Sequence, residues 1–180
     1  RMIPPISIRR YLEVEATPQR AAEIDRIFYE SSNTKSFESE DVKAAFRERW
    51  LGRYLRHDAR FAYVAQIEGG TIVGYLVGAT DDPAKTARFA DIAYFAELEN
   101  YTRRFPAHLH VNVRADFRNR GIGAQLIGRF VDDAQRMGVP GVHVVTSADA
   151  ANVSFYNRNG FAEVARAGRL NSLVFLGRAL

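Results

Sequence analysis

The amino-acid sequence predicts an α/β fold of the mixed α+β kind: a central mixed twisted sheet of about seven strands with helices on both faces. Three observations predict it. Segments with an apolar period of two alternate with segments whose apolar residues recur at helical spacing, in the order β-α-α-β-β-insert-β-α-β-α-β-β. Two strands are joined by Glu68-Gly69-Gly70, where the glycine pair suits a tight antiparallel hairpin that needs positive φ. The stretch Val111 to Ala124 runs from an alternating strand through a polar turn into two glycines, Gly121 and Gly123, that open an amphipathic helix.

Each element has its own local reason. Ile6 to Val14 carries β-branched and aromatic residues after Pro4 and Pro5, which predicts a first strand. Thr17-Pro18 is a helix-entry signal, because Thr can cap and Pro at the first helical position has no N–H to lose. Ala21, Ile24, Ile27 and Phe28 then define one face of a helix that reaches about Ser31, and Ser31 to Ser39 is a polar loop. A second helix is predicted from Ser39 and Glu40 to about Arg56, with Val42, Phe46, Trp50 and Tyr54 at four-residue spacing. That aromatic stripe is expected to be core packing rather than a ligand wall.

Phe61 to Ile67 and Thr71 to Ala79 are the strands of the hairpin. Residues 81–105 lack strand character and form an insertion between the third and fourth strands, with Ala87 to Leu98 compatible with one helix. Such an insertion shapes a substrate pocket or decorates the surface. Ala107 to Val113 alternates again, which sets His108, His110 and Asn112 on one face. From Gly121, Ile122, Leu126, Ile127, Phe130, Val131, Ala134 and Met137 recur at helical spacing until Gly138 and Pro140. Gly141 to Thr146 is a strand and Ala150 to Asn159 a short helix stopped at Gly160. Phe161 to Arg166 and Asn171 to Leu176 are the last strands, with Gly168 in their turn. Residues 2–180 are expected to form a single domain, and Arg1 ahead of Met2 is excluded from the reading.

Composition narrows the function classes. With 47% hydrophobic and 26% charged residues, the 180-residue chain is ordinary for a globular protein. The 25 Lys and Arg against 21 Asp and Glu give +4, an excess too weak and dispersed to predict a nucleic-acid partner. No cysteine is present, so the protein has no thiol chemistry of its own, which fits a cytoplasmic location. No run of eighteen apolar residues and no signal-like apolar core occur, so no membrane span or leader is expected. No metal site is expected, and the oligomeric state is expected to be monomer or homodimer.

The turn Arg118-Asn119-Arg120-Gly121-Ile122-Gly123 carries the chemistry. A helix start offers backbone N–H groups with no internal partner and the positive end of the macrodipole, so a strand feeding such a start can hold a phosphate. A bland helix start is the alternative. The P-loop is excluded because Gly123 is followed by Ala124-Gln125, and a dinucleotide fingerprint is excluded because Leu126 stands where a third glycine belongs.

Arg-x-x-Gly-x-Gly after a strand, followed by Phe155-Tyr156-Asn157-Arg158-Asn159-Gly160-Phe161, resembles the GCN5-related N-acetyltransferase (GNAT) superfamily. The motifs cover about Ala107 to Val164, and the order of elements extends the likeness to nearly the whole chain. The resemblance implies an enzyme that binds acetyl-CoA, with the pyrophosphate on the backbone of Arg118, Asn119, Arg120, Gly121, Ile122, Gly123 and Ala124. It implies that the pantetheine arm lies like an added strand along Val111 to Val113. It also implies that the N–H of Val111 faces an acetyl oxygen as that oxygen gains negative charge.

Tyr156 matches the position that protonates the departing thiolate in many members, a role suited to a phenol whose reference pKa of about 10 lies above a thiol's. For the general base the chain has Ala107 where the histone acetyltransferases of the superfamily have Glu. His110 is then the nearest titratable candidate, with His108, Glu97 and Glu99 behind it. Asn152 is placed to hydrogen-bond the pantetheine arm and Asp149 to cap the short helix. Phe105-Pro106-Ala107-His108-Leu109-His110-Val111-Asn112-Val113, followed by Gly138-Val139-Pro140-Gly141-Val142-His143, is further similar to the acetyltransferase-like domain of animal O-GlcNAc hydrolases and its free-standing bacterial relatives. The implied reaction is direct acetyl transfer to a primary amine of a small molecule or a lysine side chain. Without cysteine an acyl-cysteine route is closed. The alternative is a non-catalytic acyl-CoA binding or sensor module of the same fold.

Overall fold

The computed structural model describes residues 4–180, so Arg1 and Met2 lie outside the described residues. The strands are hydrogen-bonded in the order β1-β2-β3-β4-β5-β7-β6, seven in all. Four of the pairings run antiparallel, β1 with β2, β2 with β3, β5 with β7 and β6 with β7, while β4 and β5 pair in parallel. This is the mixed sheet flanked by helices that the sequence predicts. The described chain divides into two compact units, residues 4–78 with 110–130 and residues 79–109 with 131–180, and β4 passes from one to the other between Leu109 and His110.

In the first unit, β1 (Ile6–Arg10) pairs with β2 (Tyr63–Ile67), which pairs with β3 (Ile72–Ala79). The first strand is shorter than the sequence predicts. Its partner ends at Tyr63, opposite Arg10, and Tyr11 to Glu13 turn instead into a short 3-10 segment. Helix α1 (Pro18–Ser31) starts as expected, with Thr17 Oγ1 accepting from Arg20 N–H at 3.1 Å, and buries Ile24, Ile27 and Phe28 while Ala21 stays exposed.

The predicted second helix is interrupted. α2 (Glu40–Arg47) runs into a π-helical turn at Glu48–Gly52 and then into α3 (Arg53–His57). The wider turn holds an extra residue, which rotates the positions before it by about 100° relative to those after it. An ideal helix drifts by about 120° from Val42 to Tyr54, so the extra residue returns the four-residue stripe towards one face, along which burial rises from exposed Val42 through half-buried Phe46 and Trp50 to fully buried Tyr54. An ion pair between Arg47 and Asp25 (2.9 Å) and the ring contact of Phe46 with Phe28 (5.5 Å between centroids) tie α2 to α1.

Helix α6 (Ile122–Arg136) follows the last part of β4 (Ala107–Val113). Its first turn rests on β3 where Gly74 has no side chain: a Cβ there would stand 3.3 Å from Ile122 Cγ2 and 3.4 Å from the Asn112 carbonyl oxygen. This close approach fixes the height of the helix start above the strand.

In the second unit, β4 begins beside β5 (Gly141–Ser147), with Ala107 opposite Val142 and His108 opposite His143. β7 (Leu173–Ala179) lies between β5 and β6 (Ala162–Ala167), and α7 (Asn152–Arg158) precedes β6. The segment 81–105 forms no single helix. It makes a 3-10 turn at Ala87–Phe89, then α4 (Ala93–Glu97) and α5 (Glu99–Thr102). Phe89, Phe95, Leu98 and Phe105 are buried, so this insertion supplies core to its unit rather than decorating it. Phe105 packs on Phe175, and its ring fills the space where a side chain at Gly177 would stand.

Candidate active site

The glycine turn has the local geometry that an anion pocket requires. Asn119 and Gly121 both adopt left-handed backbone, with φ of 62° and 79°, and a Cβ on Gly121 would meet nothing within 4 Å. The first hydrogen bond of α6 in the i→i−4 pattern runs from Gln125 N–H to the Gly121 carbonyl (3.1 Å), so the amides of Ile122, Gly123 and Ala124 lie in the unsatisfied first turn. Ile122 and Leu126 are buried and anchor that turn, whereas Gly121 and Ala124 are exposed.

The flanking arginines are held by specific contacts. Arg118 Nε donates to the Val113 carbonyl at 3.1 Å, which leaves that oxygen one further lone pair for a ligand. Arg120 and Arg114 each lie over the Phe117 ring, at 4.9 and 4.8 Å, and Arg114 also pairs with Asp116 through two bonds of 2.7 and 3.0 Å. Arg114 and Arg118, with Arg26 and Glu30 of α1, line a cleft of about 510 Å³.

His110 and Asn112 open into a second, smaller cavity of about 180 Å³ whose remaining walls are Phe28, Ser31, Ser32, Phe46 and Trp50. The period of two in β4 puts both side chains there. His110 meets Trp50 edge-on (5.7 Å) and Tyr54 edge-on (5.3 Å), and its Nε2 stands 3.2 Å from the Tyr54 hydroxyl. Burial among these rings, and the Arg53 guanidinium nearby, bring the imidazole down from its ordinary 6.5 to about 4. It is a neutral group at neutral pH. Asn112 donates its amide N–H to the Tyr75 hydroxyl (2.9 Å).

The expectation of plain core packing fails for Phe46 and Trp50, which are walls of this cavity. The sequence signal was the spacing of Phe46 and Trp50 together with a polar loop beginning at Ser31. Four-residue spacing records neither the π turn nor the open space beside Phe46 and Trp50.

The other candidates fall in the second unit or on its surface. His108 is 3% exposed, set between the rings of Phe89 and Phe95 and stacked on His143 (5.4 Å), so it is a structural histidine. Glu97 accepts from the Gly168 N–H (3.3 Å) and Glu99 pairs with Lys85 (3.6 Å). Asp149 does not cap α7: the capping position is Ala151, which has no side-chain bond to give. Asn152 begins α7, and its carboxamide oxygen accepts from the Thr146 hydroxyl at 3.0 Å. Tyr156 is 5% exposed, packed against Phe155 and Phe161, and burial raises its pKa well above the ordinary phenol value. Val111, Val113, His110 and the whole glycine turn thus belong to one unit, and Asn152 and Tyr156 to the other.

A model of the acetyltransferase (GNAT) family matches residues 19–161, which spans both sequence motifs. The chain belongs to the GNAT family of acetyltransferases. As a GNAT member it is an acyltransferase. No curated protein matches its sequence, but solved structures do match its fold. SsHAT superposes with a TM-score of 0.75 at 22% identity over 98% of both chains. The ribosomal-protein-alanine N-acetyltransferase of Brucella melitensis gives 0.61 at 22% identity, over 97% of this chain and 99% of that one. The PaiA N-acetyltransferase of Thermoplasma acidophilum, solved in complex with coenzyme A, gives 0.64 at 14% identity over 98% and 99%. At such identities the likeness establishes the GNAT fold and leaves the acceptor to be argued from the site. Among the described residues, no helix of this GNAT chain is long and apolar enough to cross a membrane.

Proposed function

We propose that the protein is an acetyl-CoA-dependent N-acetyltransferase that transfers acetyl directly to a primary amine of a small molecule or a peptide. The single observation that carries this reading is the glycine turn. Left-handed Asn119 and Gly121 lead into the first turn of α6, open space surrounds the missing Gly121 side chain, and Arg118 and Arg120 flank it. Those features fit a pyrophosphate, because amides and not side chains would do the binding, with the guanidinium groups balancing charge. Bound acetyl-CoA supplies an activated thioester. Arg118 through Ala124 would hold its pyrophosphate, Val111 and Val113 would pair with its pantetheine arm, and the Asn152 amide group would donate to the same arm.

The roles of the titratable groups follow from their environments. Tyr156, kept protonated by burial, would donate a hydrogen bond to sulfur as negative charge develops there. Outright proton transfer from it is disfavoured, because a buried phenolate is costly. His110, neutral and bonded to Tyr54, would accept the proton of the amine once attack has made that nitrogen acidic.

A second reading, a non-catalytic acyl-CoA binding module, is favoured by one observation: no carboxylate stands among the residues lining the cavity at His110. Calorimetry with CoA and a thiol-release assay over an amine panel test both. The expected result is CoA binding with turnover of at least one amine. Binding with no thiol release would leave the binding module, and absence of binding would overturn both readings.

The reading extends to a protein working in the cytoplasm as monomer or homodimer, without a nucleic-acid partner. The runs Phe105 to Val113 and Gly138 to His143 support placing it near the acetyltransferase-like domain of O-GlcNAc hydrolases and its free-standing bacterial relatives.

A further inference from the structure

The cavity at His110 has a chemistry of its own, and it deepens the acetyltransferase reading, on which it rests. Three of its seven lining residues are aromatic: Phe28, Phe46 and Trp50. Two of the rings pack on each other, Phe28 on Phe46 at 5.5 Å, and Phe46 also packs on Phe37 at 5.2 Å. Its volume of about 180 Å³ suits a single small ring system and excludes a folded peptide segment.

The polar groups are few and uncharged: Ser31, Ser32, His110 and Asn112. Ser31 Oγ is buried and has no hydrogen-bond partner within the described structure. That oxygen has almost no surface accessible from the cavity, so Ser32, His110 and Asn112 are the polar groups left to meet a ligand there. An ammonium would find no carboxylate on these walls, and it would share the site with the positive field of Arg53 that already disfavours a charged imidazole.

We propose that the acetyl acceptor is a small aromatic primary amine, taken up uncharged, with its ring between Phe28, Phe46 and Trp50 and its amino group at His110. An aromatic amine shares its lone pair with the ring and is neutral at neutral pH, so no strong base is needed before attack. In the transfer the nitrogen–carbon bond forms as the carbon–sulfur bond breaks. One proton leaves the nitrogen, to neutral His110 and then solvent, and the sulfur, hydrogen-bonded by Tyr156 as it leaves, takes one proton from solvent, so the products are an amide and a thiol. A weak base is matched to this acceptor and mismatched to a lysine or polyamine, whose ammonium holds its proton to about pH 10.

Trp50 is the sole tryptophan of the chain, so its emission reports occupancy of the cavity without any turnover. The test titrates aniline, 3-aminophenol, spermidine, a lysine peptide and alanine amide against the 180-residue chain, reading Trp50 emission without cofactor and thiol release with acetyl-CoA. Saturable quenching by 3-aminophenol is expected, with a kcat/KM at least about tenfold above spermidine, the lysine peptide and alanine amide. Trp50→Ala is expected to abolish turnover of aromatic amines and Trp50→Phe to restore it, which separates loss of the wall from loss of the fold.

Preference for spermidine, the lysine peptide or alanine amide would overturn the proposal. So would CoA binding without quenching or acetylation of either aromatic amine. In those cases calorimetric CoA binding still stands for the acetyltransferase reading, whereas its absence would overturn that reading first.

Discussion

The Tyr54 hydroxyl meets Nε2 of His110 at 3.2 Å, and the ring that makes this contact is itself fully buried. Burial keeps the imidazole neutral far below its ordinary range, to about pH 4. The unfolded chain would take up this proton near pH 6.5 while the folded chain would not. The contribution to stability is therefore complete above pH 6.5, is lost progressively as pH falls towards 4, and is constant below that. It amounts to at most about 3 kcal/mol, and less where the half-buried ring keeps some contact with solvent. Urea unfolding at pH 7, 5.5 and 4.5 should show that decline in the natural protein and a shallower one in His110→Gln. Equal slopes would remove His110 from the account.

Tyr156 has a role that can be separated from folding and from binding. Tyr156→Phe keeps the ring packed between Phe155 and Phe161 and removes only the hydroxyl. The expected outcome is a fall in kcat of roughly a hundredfold with the calorimetric affinity for CoA unchanged. An unchanged kcat would reduce Tyr156 to a core aromatic.

Gly74 sets the height of the helix start that carries the turn. A valine there must push against Ile122, 3.3 Å from the position of its Cβ, and against Leu126 at 3.5 Å. Gly74→Val should cost about 1–3 kcal/mol of stability and weaken CoA binding, with Gly74→Ala intermediate in both. Retention of full CoA affinity in Gly74→Val would mean that the turn does not depend on this contact.

Gly128 lies inside α6 with nothing within 4 Å of the position where a Cβ would stand. Gly128→Ala should stabilise the protein by about 0.5–1 kcal/mol through helix propensity alone, raising Tm by roughly 1–4 °C with CoA affinity unaltered. A lower Tm in the thermal melt would contradict this.

The sequence by itself determined the order of elements, the sheet of seven strands and the two motifs of the family, because each is local. Period-two and helical patterns mark strands and helices, and glycine at 121 follows from a backbone conformation that other residues resist. Tertiary structure decided the rest. The π turn at Glu48–Gly52 keeps Phe46, Trp50 and Tyr54 near one face, and what packs over each divides them: Tyr54 is in the core, and Phe46 and Trp50 are cavity walls. Hydrogen-bond register in a helix is settled by what the helix packs on, and apolar spacing does not record it. The two histidines of β4 divide in the same way. His108 and His110 share a face by period, yet one is stacked on His143 and the other faces Trp50, because what lies above each depends on elements far away in the chain.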